Sequence, residues 1–132
     1  MIKILYLIIL VFISNSVFAD WMDEIIEKSD THLTCIGNKV CDDNGCDELT
    51  IKFSIHFSLD DKNNKEVMKC DNYGCDAMIR KRAAYSNIYF YHEEIDWWTA
   101  EYNLKSKEFI VYFDKSEWSG KAHAQYFNCE ND

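Results

Sequence analysis

Six cysteines are the residues of this chain best suited to chemistry, and four of them recur in nearly the same phrase. Residues 41–47 read Cys-Asp-Asp-Asn-Gly-Cys-Asp and residues 70–76 read Cys-Asp-Asn-Tyr-Gly-Cys-Asp, so five of seven positions agree. Paired thiolates can bind zinc, but structural zinc sites commonly place two residues between paired cysteines, and here four intervene. We therefore expect disulfide bonds and no metal or other cofactor.

The turn-forming residues inside each phrase favour local disulfides. Asp, Asn and Gly are typical of tight turns, and a short turn can bring two α-carbons into the range of about 4.4 to 6.8 Å that a disulfide requires. The favoured pairs are Cys41–Cys46, Cys70–Cys75 and, with the two remaining cysteines, Cys35–Cys129. An alternative stays open, in which the two phrases lie side by side and exchange partners across a hairpin.

Oxygen ligands crowd the same two turns and could in principle bind calcium. The residues concerned are Asp42, Asp43, Asn44, Asp47 and Glu48 in one turn, and Asp71, Asn72 and Asp76 in the other. When Gly45 or Gly74 is placed at the sixth position of an EF-hand loop, however, the first position falls on Val40 or Lys69, which do not fit the ligand pattern. Turn geometry therefore explains these residues better than calcium does.

The histidines form no recognisable catalytic motif. The segment from His92 to Asp96 begins like a zinc-protease helix, but an aspartate replaces the second histidine and the surrounding residues alternate as in a strand. His56 and His123 lie among polar or small residues, which is typical of solvent-facing histidines. We expect no enzyme; a hydrolase would require a histidine such as His92 or His56 to converge with carboxylates in a concave site.

Aromatic residues make up 15% of the chain, more than a small core needs. Tyr85, Tyr89 and Tyr91 share one face of a predicted strand, and Trp97 and Trp98 would point to opposite faces of any strand that they share. Large exposed rings dominate the energetics of interfaces. The predicted partner-binding residues are Tyr85, Tyr89, Tyr91, Trp97 and Trp118. The alternative is a two-layer core with amphipathic rims.

Periodicity predicts the elements that position these residues. A helical pattern covers Asp20–Ser29, with Trp21 and Ile25 on one face, and alternating patterns follow. The predicted strands are Ile51–Leu59, Glu66–Cys70, Met78–Arg82, Tyr85–His92, Trp97–Leu104, Phe109–Phe113 and Lys121–Cys129. Six or seven short strands without intervening helices indicate a mainly β fold, a small antiparallel meander closed into a barrel or packed as a sandwich. The basic run Arg80-Lys81-Arg82 is interpreted as solvated.

The first residues are typical of a signal peptide. Lys3 precedes an apolar run at residues 4–13, and Val17-Phe18-Ala19 matches a cleavage site, so we expect residues 1–19 to be removed and residues 20–132 to form one domain. An uncleaved membrane anchor is the alternative, but the run is too short for a span of roughly 20 residues. The protein is thus expected in the periplasm or outside the cell.

Charge and compartment together limit the functions to be considered. The 14 basic residues include Lys3, so the mature chain would have 13 basic against 23 acidic residues, a net charge of −10. Such a chain repels nucleic acid and anionic lipid, and we expect no stable membrane insertion. The favoured hypothesis is an exported module that captures or neutralises a basic protein, as lysozyme inhibitors and immunity proteins do. The alternatives are a barrel that binds a small apolar ligand and a structural envelope protein without a discrete site.

Overall fold

The computed structural model describes residues 21–59 and 65–132. The predicted signal peptide, Asp20 and the middle of the polar turn at residues 60–64 lie outside the described residues. Within those ranges no helix is long and apolar enough to cross a membrane.

The described chain has one helix, α1 at residues 21–28, followed by nine strands. They are β1 (Thr31–Asp42), β2 (Gly45–Glu48), β3 (Lys52–Phe57), β4 (Glu66–Asp71), β5 (Gly74–Ala84), β6 (Asn87–His92), β7 (Trp98–Asn103), β8 (Glu108–Phe113) and β9 (His123–Asn131). The mainly β fold predicted from the sequence is confirmed. The seven predicted strands correspond to β3 to β9, whereas β1 and β2 were not predicted, so the expected total of six or seven is too low.

The sheet closes on itself into a barrel and does not split into a sandwich. Each strand from β3 to β9 pairs antiparallel with the next, and β1 pairs with β3 on one side and with β9 on the other. The result is a closed antiparallel barrel of eight strands, with β2 as an additional strand that extends the far end of β1. Closure removes the exposed sheet edges that promote aggregation.

Gly37 marks the place where β1 changes partner from β3 to β2. Its N–H group donates a hydrogen bond to the carbonyl oxygen of Ile51 at 2.8 Å. A Cβ atom at this position would lie 2.7 Å from the Leu49 carbonyl oxygen and 2.9 Å from that of Ile51, closer than any side chain tolerates. The segment that links β2 to β3 can therefore cross β1 only against a glycine.

The barrel interior is filled by alternating residues from all eight strands. Phe53, Phe90, Phe109 and Phe127 are among the buried rings, and Phe53 meets both Phe109 and Phe127 edge to face, with centroids 5.1 and 4.7 Å apart. Such edge-to-face pairs add to the free energy gained from burial alone. Lys81 also faces inward, opposite Phe90, and is 2% exposed, so the prediction that the whole basic run is solvated is wrong for this residue.

The helix α1 packs on the outside of the barrel. Ile25 is buried in a second apolar cluster with Met68 of β4 and Ala77 of β5, and Met22 and Ile26 pack against it. The helix predicted at Asp20–Ser29 is thus present at residues 21–28, although Trp21, which was placed on one face with the buried Ile25, is 38% exposed. The helix covers the outer face of β4 and β5.

Three disulfides join residues that lie directly opposite each other on paired antiparallel strands. They are Cys35–Cys129 between β1 and β9, Cys41–Cys46 between β1 and β2, and Cys70–Cys75 between β4 and β5. This is the pairing that the sequence favours, and the exchanged alternative does not occur. All six thiols are used, so none is left to bind zinc. Disulfides of this number indicate an oxidising environment.

The two cysteine phrases form the same hairpin turn. In the first turn the Asn44 N–H group donates to the side chain of Asp42 at 2.8 Å, and in the second the Tyr73 N–H group donates to Asp71 at the same distance. The glycine that follows has a positive φ in both turns, 130° and 140°. The repeated sequence therefore builds two equivalent disulfide-closed hairpins.

We expect the three disulfides to differ in their contribution to stability. Cys35 and Cys129 are 94 residues apart, whereas Cys41 and Cys46 are five apart. On the chain-entropy model, replacing Cys35 and Cys129 by Ala lowers the free energy of unfolding by about 4 to 5 kcal/mol, and replacing Cys41 and Cys46 lowers it by about 2 kcal/mol. Urea unfolding followed by circular dichroism measures both losses. Equal losses would contradict loop closure as the cause.

Candidate functional site

Several strand ends meet at one end of the barrel, which we call the mouth. The pairing registers bring together Lys52, Asp71, Gly74, His92, Trp98 and Phe113 from β3 to β8. Both disulfide hairpins and the loops after β6 and β8 lie at this end. The opposite end holds the start of β1 and the short turns after β5 and β7.

Two adjoining cavities open at the mouth, each of about 330 Å³. They share the side chains of Lys69, Asp71, Tyr73 and Trp98. One cavity continues toward the loop after β6, and the other reaches down to the buried phenylalanines of the core. The mouth is thus a concave, largely aromatic site with a few charged groups, the usual composition of a binding pocket.

Lys69 projects into the mouth between these cavities. Its Nζ atom lies 4.6 Å from the centre of the Phe53 ring, within the range of a cation–π interaction. Burial lowers the pKa of this amine, and the nearby carboxylates of Asp71 and Asp76 oppose that effect. The ammonium group is therefore held in a poorly solvated position where aromatic rings replace water.

His92 and Asp76 form a hydrogen-bonded pair in the wall of the mouth. The Nε2 atom of His92 lies 3.2 Å from Asp76 Oδ2, and the histidine side chain is 8% exposed. The Glu94 N–H group donates to His92 Nδ1 at 3.2 Å, so Nε2 carries the proton that is donated to Asp76. A histidine and a carboxylate thus converge in a concave site, but both ring nitrogens are already engaged. Neither is free to accept a proton from a substrate.

An aromatic stack supports the side of the mouth formed by β8 and β9. Trp97 stacks on Phe113 with centroids 6.1 Å apart and an interplanar angle of 28°, and Phe113 stacks on His123 at 4.5 Å and 13°. Stacked rings with few rotatable bonds provide contact area at low entropic cost. This wall is therefore rigid before anything binds.

Carboxylates from four different segments surround the mouth, and we call them the acidic rim. Its described members are Asp42, Asp43, Asp47, Glu48, Asp71, Asp76, Glu94, Asp96, Asp114 and Glu117. The lysines at the same end are fewer: Lys39, Lys52, Lys69, Lys115 and Lys121. A concave site bordered by an excess of one sign of charge concentrates the electrostatic field and attracts oppositely charged partners.

The five predicted partner-binding residues do not form one surface. Trp97 lines the mouth, and Trp118 is 85% exposed in the loop after β8. Tyr89 and Tyr91 lie together on the outer face of β6. Tyr85 is fully exposed in the turn at the opposite end, with a φ of 56°.

Tyr89 belongs to a row of side chains that crosses the outer face of the barrel. In register order the row contains Arg82, Tyr89, Glu101, Ile110, Tyr126 and Lys39. The cations at its two ends lie over tyrosine rings, with Arg82 6.0 Å from the Tyr89 centroid and Lys39 4.8 Å from that of Tyr126. The hydroxyl group of Tyr112, in the next row, donates to Glu101 Oε1 at 2.7 Å, and its pKa is raised by burial and by this carboxylate. Each of these tyrosines thus contacts a charged side chain of the same outer face.

Sequence reasoning missed several residues of the mouth. Lys69, His92 and Trp98 were not proposed as site residues, although the alternation that places Ile88 and Phe90 inside the barrel extends to His92. Trp97 and Trp98 both line the first cavity, because β7 begins at Trp98 and the two residues share no strand. The expectation that these rings point to opposite faces therefore does not apply.

Comparison of the chain with protein-family models, with curated proteins and with solved structures finds no match.

We expect the desolvated ammonium group of Lys69 to lower the stability of the folded protein. Replacing Lys69 by Met substitutes an apolar side chain of similar length for a desolvated ammonium and should raise the free energy of unfolding by about 1 kcal/mol. The exposed neighbour Lys52 is the control. Lys52→Met should change the free energy of unfolding by less than about 0.5 kcal/mol. Urea unfolding measures both. A loss of stability in Lys69→Met would contradict this prediction. It would mean that the attraction of Asp71 and Asp76 fully offsets the cost of desolvating the ammonium group.

Proposed function

We propose that this protein is an exported binding module that captures a basic protein at the mouth of the barrel. The observation that carries the proposal is the coincidence, at one end of the fold, of the acidic rim and the aromatic cavities. A basic partner would be steered by the rim and then held by the rings. Steering of this kind raises association rates more than it raises affinity.

The contact of Lys69 with Phe53 supports the proposal that the aromatic mouth binds cationic side chains. An ammonium group from this chain already lies over a ring in the cavity. A lysine or arginine side chain of a partner would meet similar chemistry at Trp98 and Trp97, with Asp71 and Asp76 close by to balance its charge. Cation–π contacts of this type gain strength when water is excluded.

The disulfide hairpins support the same proposal, because they limit the freedom of the rim. Asp42 and Asp71 each occupy a turn closed by a disulfide and by an internal hydrogen bond. Carboxylates on rigid turns lose little conformational entropy on binding, and preorganisation of this kind favours affinity. The turns that carry these carboxylates are thus held by covalent bonds to the barrel strands.

The compartment proposed is the periplasm or the exterior of the cell. Residues 1–19 have the composition of a signal peptide, and three disulfides are consistent with export to an oxidising environment. The acidic character, with a formal net charge of −9 for the whole chain, disfavours nucleic acid as the partner.

A second candidate function is the binding of a small apolar ligand. The cavities at the mouth have volumes of about 330 Å³, near the lower end of the range for ligand pockets. Because phenylalanines fill the interior below them, such a ligand would be small and would bind at the mouth. Native mass spectrometry of the purified protein tests this candidate through a bound mass that unfolding releases.

Binding to a basic lysozyme, measured by calorimetry at low and at moderate salt, tests the main proposal. The double variant Asp71→Asn and Glu94→Gln removes two rim charges and retains the side-chain acceptor of the Asp71 turn. We expect it to weaken binding roughly three- to tenfold, given the modest energy of exposed ion pairs. The control, Glu108→Gln with Glu130→Gln, removes two charges at the opposite end and should leave affinity within about twofold.

The same experiment distinguishes capture at the mouth from nonspecific attraction. Salt should weaken the wild-type complex because the interaction is electrostatic. Equal losses in the two double variants would contradict the mouth as the site. No complex at low salt with this probe or with other basic proteins of similar size would contradict capture of basic proteins altogether.

A further inference from the structure

A pair of histidines lies on the outer face of the barrel, away from the mouth. His32 of β1 and His56 of β3 are directly opposite each other in the strand register. Their Nδ1 atoms are 2.7 Å apart, and the ring centroids are 5.0 Å apart. Two imidazoles at this distance share one hydrogen bond, so one Nδ1 atom offers a lone pair to the other.

Ser54 orients the second ring of the pair. Its Oγ atom lies 3.3 Å from Nε2 of His56. When Nε2–H donates to this hydroxyl group, the lone pair of His56 is on Nδ1, facing His32. Histidines that bind metals commonly donate their second ring N–H to a neighbouring oxygen in this manner, which holds both tautomer and orientation.

The surroundings of the pair favour a bound cation. Asp132 follows β9, and its N–H group donates to the carbonyl oxygen of His32 at 3.0 Å, while its side chain is bonded to the hydroxyl group of Thr34. Burial, and next the neighbouring His32, lower the pKa of His56, and Asp132 opposes this effect. A carboxylate thus lies near the histidine pair.

We propose that His32 and His56 form a binding site for a divalent transition-metal ion, with Cu²⁺ preferred. Metal–imidazole bonds are about 2.0 to 2.1 Å long, so two nitrogens bound at a right angle are about 2.9 Å apart. The observed separation of 2.7 Å needs to widen by a few tenths of an ångström, and each ring needs to turn so that its Nδ1 lone pair points at the metal ion and not at the other ring. Right-angled nitrogen ligands suit the tetragonal geometry of Cu²⁺, which also binds most tightly in the first-row series.

Binding requires no loss of a proton from the pair. His32 would move its ring proton from Nδ1 to Nε2, and the metal ion would replace the hydrogen bond between the rings. In the described part of the chain no three His, Cys, Asp or Glu side chains converge as a metal set, so water completes the coordination. The site is independent of the mouth and of the function proposed there.

Metal titration of the purified, chelator-treated protein without an affinity tag tests the proposal. Calorimetry should detect one equivalent of Cu²⁺, weaker binding of Ni²⁺ and none of Mg²⁺. His32→Gln and His56→Gln should each weaken Cu²⁺ binding roughly tenfold or more, given that losing even an outer-shell partner costs that much. His123→Gln is the matched control and should bind Cu²⁺ as the wild type does.

Two further readouts separate a metal site from a merely structural histidine pair. The electron paramagnetic resonance spectrum of the Cu²⁺ complex should show coupling to two imidazole nitrogens, and this coupling should change in His32→Gln. Ni²⁺ should raise the melting temperature of the wild type, because only the folded state brings both rings together. Unchanged Cu²⁺ affinity in both variants, or no rise in melting temperature with Ni²⁺, would overturn the proposal.

Discussion

Cys35 and Cys129 face each other across the pair of strands that closes the barrel, and both side chains are buried in the core. Each inward residue depends on this closure, because a sheet open between β1 and β9 would expose one side of the phenylalanine cluster to water. Phe127 precedes Cys129 on the same inner face and meets Phe53, which comes from β3 on the other side of β1. The bond that joins the first strand to the last thus holds in place a core that no pair of neighbouring strands could form alone.

The mouth results from local irregularities imposed on this closed sheet. At the bulge in β5, two residues of that strand lie opposite the single residue Met68, so Asp76 and Ile79 both face inward. Asp76 therefore reaches His92, while Ala77 turns outward to the helix. Bulges commonly redirect a side chain at the rim of a barrel. The same bulge therefore places Asp76 in the wall of the mouth and Ala77 in the surface on which α1 packs.

The limits of prediction from the sequence follow from these irregularities. Strand β3 was predictable, because its apolar and polar residues alternate cleanly and only one face is buried. Strand β1 was not, since its second half is polar and Gly37 interrupts its pattern for a contact with a distant segment. The turn phrases predicted two of the disulfides directly and the third by elimination. The inward position of Lys69 was hidden because Val67 and Met68 are both apolar and both buried, on opposite faces.

The two ends of the barrel differ in composition, and this difference is the reason why we place the proposed function at the mouth. Below the mouth, aromatic and aliphatic side chains fill the interior, as stability requires. At the mouth, the charged and polar groups are a desolvated lysine and a largely buried histidine paired with a half-exposed aspartate, and large partly exposed rings surround them. Residues that depart from the rules of folding without a structural return are those most often retained for binding. The two disulfide hairpins lie at the same end, so the desolvated lysine and the disulfide-closed turns belong to one surface.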